Sequence, residues 1–273
     1  MLGAVYALAA AGLNLIFGVM RVVNIAHGDL VMLGAYTAFW LYELLGVNPI
    51  LALFVSGPVL FVVGCLLQRF LVARVVGQPP LMSLILLWGV SLLIINIALF
   101  FWTSNVRSIP VFSGGVEVLG ISISRARAVA FVGSIAISLA VWAFLQRSRW
   151  GKAIRATAQS SEMAMVCGVD VRWARVLTFG LAAAMAGAAG NLLMAVFAIS
   201  PGVGPTFLLK SFAIIVIGGL GSFQGAFLGA LIVGVLESLS AYALNAQAAD
   251  AVIYFSLIVF LVLRPGGLLG SSR

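Results

Sequence analysis

The sequence predicts an all-α fold, a polytopic transmembrane helical bundle of about eight or nine spans with interrupted helices. Three observations predict it. Of the 273 residues, 63% are hydrophobic and 8% charged, and the mean hydropathy is +1.22, far outside the composition of soluble domains. The apolar residues fall in runs of roughly 20, the length a helix needs to cross a hydrocarbon core. The 15 lysines and arginines sit at the ends of those runs. The chain therefore reads as one transmembrane domain, residues 1–273, embedded in a lipid bilayer, with no room for a soluble catalytic domain. The net charge of +8 is a topology signal and not a nucleic-acid footprint, because the charges flank spans and do not share one face of a folded domain.

The runs follow in order. Residues 1–20 form a first span with Asn14 as its strongly polar member; it lacks a basic leader and reads as retained. A polar break, NIAHGD at 24–29, separates it from a second span at 30–45. The third, 49–67, is followed by Arg69 and Arg74, which mark an inner end. A fourth, 81–102, ends in the aromatic cluster Phe100, Phe101 and Trp102. Residues 103–127 are the longest polar outer stretch, where alternating Val116, Val118, Ile121 and Ile123 predict a small hairpin. The fifth span is 128–145. The sixth, 173–199, carries Gly180, Ala183, Ala184, Gly187 and Gly190, small residues spaced for close helix approach. A short seventh segment, 207–217, runs into Gly218-Gly219-Leu220-Gly221-Ser222, and spans at 223–243 and 251–263 follow. This count places the N-terminus outside and the C-terminus inside, with eleven basic residues inside, three outside (Arg107, Arg125, Arg127) and Lys210 unassigned.

One polar island stands out, residues 151–169, inside a basic loop at 147–175 that holds six of the fifteen basic residues against Glu162 and Asp170. The positive-inside rule holds such a loop in the cytoplasm. Its apolar residues, among them Ala153, Ala156, Met163, Ala164 and Val166, alternate with polar ones and predict one or two short helices on the membrane face, offering an apolar strip to a protein partner.

The chemistry-bearing residues are few. Gly151-Lys152 lacks the rest of a phosphate-binding loop, so the chain has no nucleotide site of that kind. His27 has no companion ligands, so no metal site is expected, and Cys65 and Cys167 point to neither a disulfide nor a metal. No nucleophile–base set or paired carboxylates suit hydrolysis, so no catalytic residues are assigned. Asp29 reads either as a charge favouring a helix N-terminus or as part of a relay, and Glu237 as a hydrogen-bonding or a functional group within its span. Asn14, Asn96 and Asn191 read as interhelical hydrogen bonders. For the glycine run at 218–222 two readings stay open: a tight turn, or backbone exposed to a translocation path. The breaks at 24–29 and 218–225 hint at an internal repeat.

Three stretches in order carry a resemblance: GLNLIFGVMRVVNIAHGDLVMLGAY at 12–36, GKAIRATAQSSEMAMVCGVD at 151–170, and FAIIVIGGLGSFQGAFLGALIVGVLE at 212–237, with a closing motif at 264–270. Together they resemble the permease subunits of ATP-binding-cassette importers for branched-chain amino acids, across nearly the whole chain. The resemblance implies a permease domain without enzymatic activity in a bacterial cytoplasmic (inner) membrane. The implied partners are a homologous second permease chain, two ATPase subunits that bind ATP and Mg, and a soluble substrate-binding protein. It implies an ATPase-coupling role for Gly151, Ala153, Arg155, Ala156, Glu162, Met163, Ala164 and Gly168, and a translocation path along Asn24, His27, Gly28, Gly218, Gly219, Gly221 and Ser222. Ser160 departs from the pattern, standing where an Asp or Asn is expected: a polar cap without the charge. Importers of urea or short amides share these motifs, and an ion-coupled secondary transporter is the rival from another class.

Overall fold

A computed structural model describes residues 1–110, 114–118, 121–264 and 266–269. Among them the chain is helical apart from one small hairpin: α1 (Leu2–Met20), α2 (His27–Leu45), α3 (Pro49–Phe70), α4 (Pro80–Trp102), β1 (Gly115–Val118), β2 (Ile121–Ser124), α5 (Arg125–Arg147), α6 (Arg149–Gln159), α7 (Ser161–Val166), α8 (Val171–Met194), α9 (Gly204–Gly218), α10 (Phe223–Ala243) and α11 (Ala246–Leu263). The hairpin falls where alternation placed it, β1 antiparallel to β2 with Val116 opposite Ile123 and Val118 opposite Ile121.

Local chemistry sets the boundaries. Asn48 caps α3 by accepting from the Ile50 amide, with Pro49 in the first turn; Ser222 caps α10 through Gly225 and Asn245 caps α11 through Ala248. Arg21 and Gly46 take left-handed φ values of 54° and 65° and stop α1 and α2. Where the bundle is tightest, glycine removes the obstacle. Gly34 of α2 and Gly187 of α8 meet backbone to backbone, and Gly190 faces the Val31 carbonyl so closely that a Cβ would collide with it. Across the other side of α8, a Cβ on Gly187 would lie 2.8 Å from Leu60 Cγ of α3. The small residues of the sixth predicted span are thus the contact points for both α2 and α3.

Several expectations change. Among the described residues, seven segments are long and apolar enough to cross a membrane, namely α1, α3 with the turn to Arg74, α4, α5, α8, Pro201–Gly218 and α10, so eight or nine is not confirmed. The helix α2 is outside that set, and α11, apolar over Gln247–Leu263, stands beside it as a further apolar helix. The predicted seventh segment is lengthened by a 3-10 turn at Pro201–Val203 that leads straight into α9. The second helix begins at His27 and not at 30, α5 begins at Arg125 and not at 128, and α8 stops at Met194. Beyond α8, Ile199 pairs with Arg107 through reciprocal backbone hydrogen bonds of 2.9 and 2.8 Å. Asn191 does bridge helices, donating to Ser56 Oγ at 3.1 Å, whereas Asn96 is exposed and donates to Leu92 O within its own helix.

Candidate functional site

The polar island folds into α6 and α7, two capped helices packed at one end of the bundle. Ser148 caps α6 by accepting from the Gly151 amide at 2.8 Å, and Asp170 caps α8 through Trp173 at 3.1 Å. Ser160 caps α7, accepting from Met163 at 3.3 Å, so the departure from the family pattern keeps the cap. Gly151, Ile154 and Thr157 recur on one face of α6 and are buried against α1, α5 and α8. Gly151 lies directly over the Phe144 and Leu145 carbonyls, an approach that only a residue without Cβ permits. Arg155 is exposed yet pinned, donating to Gln146 Oε1 at 2.8 Å and Gln146 O at 3.3 Å. Gly168, φ 80°, ends the unit with left-handed backbone.

The outer face of this unit is apolar where solvent would favour polar residues. Met163, Met165 and Val166 are 67, 56 and 82% exposed, and Trp150 and Trp173, which bracket them in the chain, are also exposed. Of the residues implicated by sequence, Arg155, Glu162, Met163 and Gly168 face outward, Ala153 and Ala156 are half-buried, and Gly151 and Ala164 are buried supports. Met165 and the two tryptophans were missed. The available signal was large apolar side chains bracketing a polar stretch.

The second set of residues gathers along α1. His27 Nε2 lies 2.8 Å from Ala9 O, eleven residues before the end of α1, so the chain doubles back after Arg21 and α2 starts against the middle of α1. That leaves roughly 16 Å of α1 beyond the contact at 1.5 Å per residue. Asn24, His27 and Asp29 are wholly buried, and the Asn24 amide and His27 Nδ1 have no hydrogen-bond partner among the described residues. Asp29 sits in the first turn of α2, where a negative charge suits the helix dipole, against Gly204 at the start of α9. Gly28 meets the Gly204 backbone.

Farther along α1, Asn14 grips the glycine run with both ends of its amide: Nδ2 donates to Ser222 O and Oδ1 accepts from Gly221 N, each at 2.6 Å. Gly219 and Gly221 have φ of 110° and 84°, so the run is a tight turn that needs glycine. Gly218 and Gly225 abut, closing α9 onto α10. Leu268 and Leu269 donate to Ile217 O and Gly218 O at 2.9 and 3.0 Å, so the described part of the closing motif folds onto the same turn; Pro265 and Gly270 of that motif lie outside the described residues. The structure thus brings 24–28 and 218–222 to one helix, α1, which also touches α6.

The sequence alone leaves Lys210 unassigned and both roles of Glu237, hydrogen-bonding and functional, open. Lys210 of α9 lies 2.7 Å from Glu237 Oε1 and 2.9 Å from Asp250 Oδ1 of α11, and Tyr6 of α1 donates to Glu237 Oε1 at 3.1 Å. A span-by-span reading has no means of pairing charges on separate helices.

Over residues 1–262 the chain matches the family described as branched-chain amino acid transport system / permease component. It is 33% identical to the high-affinity branched-chain amino acid transport system permease protein BraD of Pseudomonas aeruginosa, and 32% to the LivH protein of the same description from Escherichia coli. Each alignment covers 98% of this chain and 92% of the relative. The probable branched-chain amino acid transport permease protein LivH of Methanocaldococcus jannaschii is 28% identical over 96% of this chain and 85% of its own. No solved structure matches.

Proposed function

The chain belongs to the family of branched-chain amino acid transport permease components, and from that premise we propose that it is a membrane-spanning half of an ATP-driven importer for branched-chain amino acids. The observation that carries this reading is the α6–α7 unit: capped and pinned on its inner side, apolar and unpartnered on its outer side. An exposed patch of Met and Val on a rigid support is the surface of a protein contact, with methionine adapting to its partner. The partner is a cytoplasmic ATPase subunit, which binds ATP and Mg; this chain supplies the handle. A second, homologous permease chain completes the path, and a soluble binding protein delivers substrate at the opposite face of a bacterial inner membrane.

The mechanism follows from what the handle touches. Movement of α6 bears on α1, α5 and α8 together. Helix α1 in turn holds the 218–222 turn through Asn14 and the start of α2 through His27. Closure of the ATPase subunits would displace α1 relative to both junctions, and the short breaks at 24–28 and 218–222 absorb the change where the helices are already interrupted. The test is ATP hydrolysis by what co-purifies with a tagged copy in nanodiscs, with and without leucine-loaded binding protein. Recovery of an ATPase that the loaded protein stimulates is the expected result. Failure to recover one under gentle extraction, or uptake driven by an ion gradient without ATP, would refute the reading.

A further inference from the structure

Lys210 is nine-tenths buried among apolar helices, and the ionic cluster around it is graded: side-chain exposure rises from 9% at Lys210 to 13% at Glu237 and 36% at Asp250. Ionisable groups at this depth are costly, persist only when paired, and mark functional positions. Here the pairing is incomplete. One ammonium serves two carboxylates, both through single oxygens, and Glu237 Oε2 is buried with no hydrogen-bond partner among the described residues. A clamp between α9 and α10 alone would need only the Lys210–Glu237 pair. Counting Lys210 against Glu237 and Asp250, the cluster carries one negative charge in excess.

One cation and two carboxylates therefore converge from three helices, α9, α10 and α11, with the half-buried Asp250 more accessible than the buried pair Lys210 and Glu237. A small molecule with one positive and one negative end joins such a set without adding net charge. Its carboxylate displaces Asp250 from Lys210, and its ammonium takes the freed Asp250 carboxylate and the idle Glu237 Oε2. Uncharged amides offer no such exchange.

We propose that Lys210, Glu237 and Asp250 form an entry site for zwitterionic amino acids, where the ion pairs within the protein are traded for ion pairs with the substrate. The inference rests on the importer reading and assigns the substrate class to particular side chains. Its test uses the complete importer in proteoliposomes with leucine-loaded binding protein. Two variants are compared, Asp250→Asn and the double variant Lys210→Met with Glu237→Gln, which removes the buried pair together and leaves only the half-buried Asp250 without its ion-pair partner. Both are expected to lower radiolabelled leucine uptake about tenfold or more, the loss of one charge-assisted contact, while stimulated ATP hydrolysis stays within about twofold of the parent. A diazirine analogue of leucine should label α9–α11 in the parent, be displaced by leucine, and fail to label Asp250→Asn. Unchanged uptake in both variants, or uptake falling in step with hydrolysis as a structural clamp requires, overturns the site and leaves the importer reading intact. A parent complex that the loaded binding protein does not stimulate overturns both.

Discussion

The helices α1 and α8 have 78% of the residues in their most apolar stretches buried within the chain, and Pro201–Gly218 has 61%; for α3, α4 and α5 the share is 22 to 28%. The buried helices are the less apolar ones. In a soluble protein the order is reversed, because water penalises exposed apolar surface; in lipid the most apolar helices face the solvent and the interior goes to those with small and polar residues. Glycine seams and paired polar groups do inside this bundle what leucine and phenylalanine do inside a soluble core. The helix α10 departs from the trend, as exposed as α4 yet less apolar, because it carries Glu237 and Ser238 while Gly225 and Gly229 seam it to α9.

The contrast is open to mutational attack. The largest effect is expected from Gly190→Val, which drives a side chain into the Val31 carbonyl at the α2–α8 seam. Backbone leaves less room to relax than a side chain does, so the cost should reach about 3 kcal/mol or more, read as loss of monodisperse protein in detergent. Next is Asn14→Ala, which releases both hydrogen bonds to the glycine turn. Roughly 1 to 3 kcal/mol should be lost, and amide exchange should quicken at 219–222 before elsewhere. Ser160→Ala removes the cap of α7 at a cost of about 1 kcal/mol, felt as local exchange in 161–167 with little change in global melting. The smallest effect belongs to Phe54→Ala on the lipid-ward face of α3, where Phe54 is exposed; within about 0.5 kcal/mol of the parent is expected in a melting series. A loss at Phe54 equal to that at Gly190 would erase the distinction between the two regions.

The two regions also differed in how legible they were. Continuous apolar runs announce themselves, and α3, α4 and α10 begin within a residue of where composition puts them, whereas α5 begins three residues earlier because its first turn carries Arg125 and Arg127. Interior elements were harder because their logic is pairwise. The start of α2 was set three residues late because NIAHGD looks like a loop, whereas His27 and Asp29 belong to the first turn of a helix whose polar groups are turned into the bundle. The glycines of α8 were legible as packing residues, but not which helices they admit. The α6–α7 unit is legible as a charged island and its alternation as one or two short helices; the exposure of Met163, Met165, Val166, Trp150 and Trp173 needed coordinates. Lys210, Glu237 and Asp250 lie 27 and 13 residues apart in the chain, and no local pattern unites them.

The central claim is that an exposed apolar face on α7 transmits work to a bundle whose stability lies elsewhere. Val166→Glu tests it most directly, because Val166 is 82% exposed and contributes little to the fold. Leucine uptake and stimulated ATP hydrolysis should be measured on one reconstituted preparation together with its melting temperature. The account predicts that both activities fall about tenfold or more, as when a charge is set into the centre of a protein contact, with melting unchanged to within about 2 °C. Full uptake by Val166→Glu would contradict it.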